Sequence, residues 1–256
     1  KNGGGASAVS LTNGSPTTLA TGASLSAGGV DTYLVSVNFT LDEAALIAAP
    51  PENDDCTMAI TETLTGLYNN SQVSTTTQTV SSNACAPIPA LLKITKTIED
   101  VATPVSGNTY QTRYYLTVDN LGGSATSYNL SDVFGYESDV SNVSVVSVTH
   151  VPHLDALATA INPSFNGGSS PSIVSGESVA APTVAAGTGE TYDVTVRFDV
   201  AVGGSTTNNA CTGSTGGGLF NRVTLAYNGQ TLTSEVCEPT PERADISTEK
   251  TVVGTP

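Results

Sequence analysis

The sequence predicts an all-β chain of tandem, disulfide-stapled β-sandwiches. Three observations predict it: a composition suited to strands and turns, period-two alternation between turn residues, and a domain-sized internal repeat. Only 12% of the 256 residues are charged and 5% aromatic, and Trp is absent. Thr, Ser, Gly, Val and Ala dominate. β-branched and small turn-forming residues favour short strands and polar turns, whereas the straight-chain helix formers Lys, Arg, Gln and Met are scarce. A hydrophobic fraction of 38% is enough to bury a core, which separates the chain from a disordered stalk.

The strands follow in order from the alternation. Leu92, Ile94, Lys96 and Ile98 mark a first strand and Tyr110–Val118 a second, closed by the turn Asn120-Leu121-Gly122-Gly123. Tyr128–Val133 is a third and Val140–Thr149 a fourth. After an irregular stretch come Ser172–Val179, Thr191–Val200, Asn221–Tyr227 and Leu232–Cys237. Asn228-Gly229 between the last two predicts a tight hairpin, because both residues accept positive φ. Leu154–Ile161 reads as a single helical turn. Several short strands at this spacing make a β-sandwich.

The repeat fixes the domain organisation. Gly28–Phe39 matches Gly187–Phe198 through Tyr33 and Tyr192 (192 − 33 = 159). Gly66-Leu67-Tyr68-Asn69 matches Gly218-Leu219-Phe220-Asn221. Cys56 matches Cys211, and Cys85 matches Cys237 (237 − 85 = 152). Lys96, in the first strand, matches Lys250 in Ala244–Val252. A shrinking offset with constant order means small loop deletions between copies. Residues 91–243 are then one complete sandwich, residues 1–90 the second half of a copy, and residues 244–256 the opening strand of another.

Charge removes several function classes. Eight basic residues stand against 23 acidic ones, a net charge of −15. Nucleic acid needs clustered Lys and Arg, and an anionic membrane surface repels such a chain. No apolar run is long enough to span a bilayer. Acidity of this kind suits solubility outside the cell.

Leu92–Thr97, Tyr114–Gly122 and Ala125–Asp132 together resemble the repeat family known as domain of unknown function eleven: a Lys-bearing first strand, a strand ending in Asn-x-Gly, and a strand ending near Asp. Ala244–Val252 resembles the same opening strand. The resemblance implies an immunoglobulin-like or fibronectin-like domain of a bacterial or archaeal surface protein without general enzymatic activity.

The four cysteines fall as one pair per copy, Cys56 with Cys85 and Cys211 with Cys237, without the C-x-x-C unit of a zinc site. One disulfide per copy follows, which places the chain in an oxidising compartment. His150 and His153 are the only histidines, and no third ligand or nucleophile motif accompanies them, so they read as surface residues. Acidic clusters at Asp42-Glu43, Glu52–Asp55 and Glu137–Asp139 lack EF-hand spacing; calcium is the only cofactor they suggest, and solvated loops are the stronger reading. Sequons occur at Asn13, Asn38, Asn69, Asn129 and Asn142.

A sharper candidate is a Lys–Asn isopeptide bond, formed in some surface β-domains between a first and a late strand beside a buried carboxylate. Lys96 and Asn221 are the pair, Asp119 the expected acid, and Asn69 the equivalent asparagine of the half copy. Against it stands the usual solvation of a lysine on an edge strand.

The expected function is that of an extracellular fibre or cell-surface filament whose partners are copies of itself, joined head to tail. Asp245, Ile246, Thr248, Lys250 and Val252 form the expected donor strand that completes residues 1–90 of the next subunit. A long covalent polyprotein is the alternative array. A ligand-binding adhesin module is the alternative class, with Ser164–Pro171 and Ser205–Gly218 as its loops, although these lack the aromatic platform that sugar stacking needs. An enzyme is the poorest fit, for want of a convergent acid, base and nucleophile.

Overall fold

The computed structural model describes residues 17–42, 67–152, 160–174, 183–184, 189–201, 211 and 217–241. It is all-β. Two compact units divide the chain, Lys1–Leu41 and Asp42–Pro256. The strands all lie in the second: β1 Leu67–Ser74, β2 Thr79–Ala86, β3 Leu92–Ser106, β4 Thr109–Asn120, β5 Thr126–Ser127, β6 Asn129–Tyr136, β7 Val140–Pro152, β8 Ser172–Val174, β9 Thr183–Val184, β10 Gly189–Val200, β11 Leu219–Tyr227 and β12 Gln230–Val236.

Two four-stranded antiparallel sheets, in the orders β3-β4-β10-β7 and β12-β11-β6-β8, share one core. Alternation makes this possible. β4 buries every second residue from Thr112 to Asn120, and β11 buries Asn221, Val223, Leu225 and Tyr227 along one face. Tyr114, Leu116, Val118, Tyr192, Val194 and Val196 from one sheet meet Leu130, Ile173, Val223 and Leu225 from the other. Most of these side chains are removed entirely from solvent, and each large one contributes about 1.5–3 kcal/mol of burial. Leu92 and Ile94 of β3 close the core at one edge.

The expected strands form with adjusted ends, and of the one expected at Ser172–Val179 residues 172–174 are strand while 175–179 lie outside the described residues. β3 runs on to Ser106, past the alternating apolar positions, through register shifts against β4. The β11–β12 turn is as expected, with Asn228 at φ 45° and Gly229 at φ 75°. The suggested helical turn at 154–161 falls mainly outside the described residues.

The repeat has a structural counterpart and a departure. β1 and β2 form a hairpin in which Tyr68 faces Cys85. β11 and β12 place Asn221 opposite Val236, so Phe220 and Cys237 keep the matching register. By contrast, residues 30–39 form no strand, although they match β10, and Leu34, Val37 and Phe39 are exposed. β10 is held between β4 and β7, which satisfies its hydrogen bonds on both edges. No such neighbours flank residues 30–39 among the described residues, and a matching sequence without partner strands does not make a strand.

Candidate functional site

Three polar side chains project into the apolar core at one place. Lys96 on β3 extends the face that buries Leu92 and Ile94. Asp132 on β6 follows Leu130 at the next inward position. Asn221 lies between Leu219 and Val223 on the inward face of β11. β6 and β11 pair with Asp132 opposite Val223 and Phe134 opposite Asn221, so Asp132 and Asn221 are diagonal neighbours on one face. Lys96 reaches them from the opposing sheet, its strand fixed by the bond from its backbone N–H to Ser234 Oγ at 3.0 Å.

The carboxylate of Asp132 bridges the other two. Lys96 Nζ donates to Asp132 Oδ1 in an ion pair whose side chains are wholly buried. Asn221 Nδ2 donates to Asp132 Oδ2 at 3.2 Å. Asn221 Oδ1 is buried with no hydrogen-bond partner, a costly state for an amide oxygen. The Tyr114 ring lies 4.9 Å from Lys96 Nζ, and its hydroxyl bonds Tyr136 Oη at 2.9 Å. This aromatic cover keeps water from the amine.

Burial acts on both charges in the same sense. It pulls the Lys96 ammonium down to about 8, against the opposing pull of Asp132. It holds the Asp132 carboxyl above the usual carboxylate range, although Lys96 and Asn221 favour its charged form. Both shifts favour a neutral amine beside a neutral acid. A neutral amine is a nucleophile, and a carboxylic acid beside a carboxamide can polarise its C=O and shuttle protons.

The carboxylate that meets Lys96 and Asn221 is Asp132, whereas Asp119, the expected acid, is not among their contacts. Asp119 occupies an outward position of β4 between the inward Val118 and Asn120, opposite Gly189. The signal for Asp132 is the run Tyr128, Leu130, Asp132: a carboxylate at a core-facing position needs a partner. Lys96 is likewise not the solvated edge lysine of the usual case, since its strand is an edge but its side chain points into the core.

The remaining candidates are dispersed. Cys211 and Cys237 form a disulfide. Cys85 is also disulfide-bonded, and its expected partner Cys56 lies outside the described residues. His150 is buried rather than superficial: its Nε2 meets Glu190 Oε2 at 2.5 Å and its ring stacks on Tyr192 at 4.9 Å. His153 and the cluster Glu52–Asp55 lie outside the described residues. Glu137 accepts a hydrogen bond from Thr240, and among the described residues no His, Cys, Asp or Glu group is arranged to hold a metal ion. Asn38, Asn69, Asn129 and Asn142 are exposed, with Asn142 donating to Asp199 Oδ2 at 2.8 Å. Asn13 and the segment Asp245–Val252 are outside the described residues. Of the two candidate ligand loops, Ser164–Pro171 turns its aromatic residue inward, Phe165 packing on Phe134.

No family model matches the sequence, and no curated protein matches it.

Proposed function

We propose that this chain is a self-cross-linking structural module of an extracellular fibre or surface array, built on an immunoglobulin-like sandwich. The observation that carries the reading is the buried set Lys96, Asp132 and Asn221 on three different strands. A buried ion pair contributes little net stability compared with an apolar replacement, so stability alone does not account for it. Cross-linking chemistry does.

The reaction balances without oxidant or cofactor. A proton passes from the Lys96 ammonium to Asp132, leaving amine and acid. The Asn221 amide turns its unpartnered oxygen toward the acid, a rotation that exchanges only O and N positions. The Asp132 O–H donates to Oδ1 while the Lys96 nitrogen attacks Cγ, forming a C–N bond. Asp132 then accepts a proton from the attacking nitrogen and delivers one to Nδ2. The Cγ–Nδ2 bond breaks, ammonia leaves, and Asp132 is regenerated beside a secondary amide. The event happens once per chain, which makes the protein a self-processing module and no enzyme.

The strand order supports the immunoglobulin-like reading: β3-β4-β10-β7 against β12-β11-β6 follows the ABED and GFC sheets of that fold, with the short β8 added beside β6. Cross-link and disulfide are both suited to tension. The bond would join β3, the first strand of the sandwich, to β11, its penultimate one, so a pull along the chain would bypass the intervening residues (221 − 96 = 125). At ~3.3–3.6 Å per residue, roughly 410–450 Å of contour length would be withheld.

Intact-mass measurement of the reduced, denatured chain tests this. The expected mass is that of the sequence less one ammonia, with a Lys96–Asn221 branched peptide after digestion and the full sequence mass for Asp132→Ala. A wild-type chain at full sequence mass sinks the proposal. Force spectroscopy is the second readout, in which only the Asp132→Ala chain releases the withheld length.

A further inference from the structure

Resting on the fibre reading, we infer that the exposed β1–β2 hairpin is the docking face for residues 245–252 of a second copy of this chain. The hairpin repeats β11–β12 at a constant offset. Asn69, Ser71 and Val73 stand where Asn221, Val223 and Leu225 stand, and Val80, Ser82 and Ala84 where Leu232, Ser234 and Val236 stand. The two rows face each other in register, Asn69 opposite Ala84, Ser71 opposite Ser82 and Val73 opposite Val80. In the complete unit this face is covered: Val223 and Leu225 are buried, and Leu232 and Val236 pack on the core. In the hairpin it is open, with Val73 70% and Val80 57% exposed.

One of the strands that cover the face in the complete unit, β3 beside β4 and β10, identifies the occupant. β3 lies across β11–β12, its Lys96 N–H on Ser234 Oγ at 3.0 Å and its Leu92 N–H on Tyr227 Oη at 3.2 Å. The inward residues of β3 are Leu92, Ile94, Lys96 and Ile98, and Ile246, Thr248, Lys250 and Val252 repeat them at the same spacing. Ser82 supplies the hydroxyl that Ser234 supplies to β3, and Lys250 would come to lie over Asn69. The hairpin strands carry no charged residue. In the incoming strand Asp245 and Glu249 alternate with the apolar set and would face solvent, so the docked surface buries Ile246 and Val252 without a buried carboxylate.

The ends of the complete unit favour a second copy over the same chain. The chain enters it at Ile88–Leu91, which is held by Leu121, Gly123 and Ser124 beside the start of β3. It leaves at Thr240, which is bonded to Glu137 at the other end of β11. Entry and exit lie at opposite ends, and an interface between opposite ends propagates as an open filament.

The test uses the full chain and two surface variants. Val73→Asp/Val80→Asp disables the acceptor, and Ile246→Asp/Val252→Asp disables the donor. Sedimentation velocity of the wild type is expected to show a concentration-dependent series of oligomers, and each variant alone a monomer. An equal mixture of the two variants is expected to stop at the heterodimer, because only one competent joint remains. A monomeric wild type, a variant that still polymerises, or a mixture that stays monomeric overturns the inference. All these chains are expected to lose one ammonia, so failure of the internal cross-link and failure of the joint are read separately.

Discussion

Replacing Asp132 is the most informative perturbation of the core. Asp132→Ala has two consequences that can be separated. It stops the cross-link, and it leaves the Lys96 amine buried without its carboxylate. The first is worth about 5 kcal/mol, from the chain entropy of closing a loop of 221 − 96 = 125 residues. The second costs about 3–5 kcal/mol, as for other broken buried pairs. Together they remove ~8–10 kcal/mol, comparable with the whole stability of an ordinary domain. The triple variant Lys96→Met/Asp132→Leu/Asn221→Leu removes the polar set as a unit, so it forfeits the cross-link but strands no charge. The expected order of stability is wild type, then triple, then Asp132→Ala. With roughly 2–4 °C per kcal/mol for a unit of this size, the wild type and Asp132→Ala differ by tens of degrees. Calorimetry under reducing conditions, with intact mass on the same samples, reads both. If the triple variant melts with or above the wild type while the wild type retains its ammonia, the reasoning fails at its first step.

Cross-linking should depend on pH as a bell, because the reactive state is the pair holding a single proton. With the Lys96 ammonium at about 8, the rate in a freshly refolded chain is expected to fall as pH rises above that value, where the pair loses its last proton and the acid is gone. It should fall again in acid, where amine and carboxyl are both protonated. A rate still rising through pH 10 would show that Asp132 takes no part as an acid. Cys211→Ser/Cys237→Ser opens a separation of 26 residues, with an expected loss of about 3–4 kcal/mol in denaturant titration. An unchanged midpoint would refute that value. Gly167→Ala should destabilise the sandwich by more than ~1–3 kcal/mol, since Gly167 has φ 68° and an added Cβ would sit 2.0 Å from Phe134. A neutral substitution would mean that the loop rearranges freely around Phe134.

The sandwich was legible because its alternation is uninterrupted where strands are buried on one face. Tyr114, Leu116 and Val118, or Val223 and Leu225, announce their own orientation. The same alternation carried more than it first yielded. Lys96 after Leu92 and Ile94, Asp132 after Tyr128 and Leu130, and Asn221 before Val223 are all polar residues in apolar registers. Asp119 occupies an outward position because proximity in sequence to an inward strand does not fix the face, and one residue of displacement turns a side chain outward. His150 reads as a surface residue in the sequence for a related reason, although it is buried. Its partner Glu190 is far along the chain and is brought beside it only by β7–β10 pairing. Residues 30–39 show the opposite limit, since they carry the pattern of β10 without, among the described residues, the neighbours that make β10 a strand.

The placement of the two staples explains why one sandwich would carry both. The disulfide ties Cys211, before β11, to Cys237, just after β12. It therefore secures only the terminal hairpin to the segment that leads into it. Nothing covalent in that arrangement holds β3, the strand that lies at a sheet edge and that in a fibre would meet the load before the rest of the sandwich. The hydrogen bonds from β3 to β4 lie side by side, and the register shifts beyond Ile98 thin them at the far end. Lys96 sits within the regular part of that pairing, two residues before the first irregularity. A bond from there to Asn221 on β11 would join the exposed edge of one sheet to an interior strand of the other, and β11 is already next to the disulfide-bound β12. The two cross-links would then act in series along one path, from β3 through β11 to the exit of the unit, each covering the strand that the other leaves held by hydrogen bonds alone.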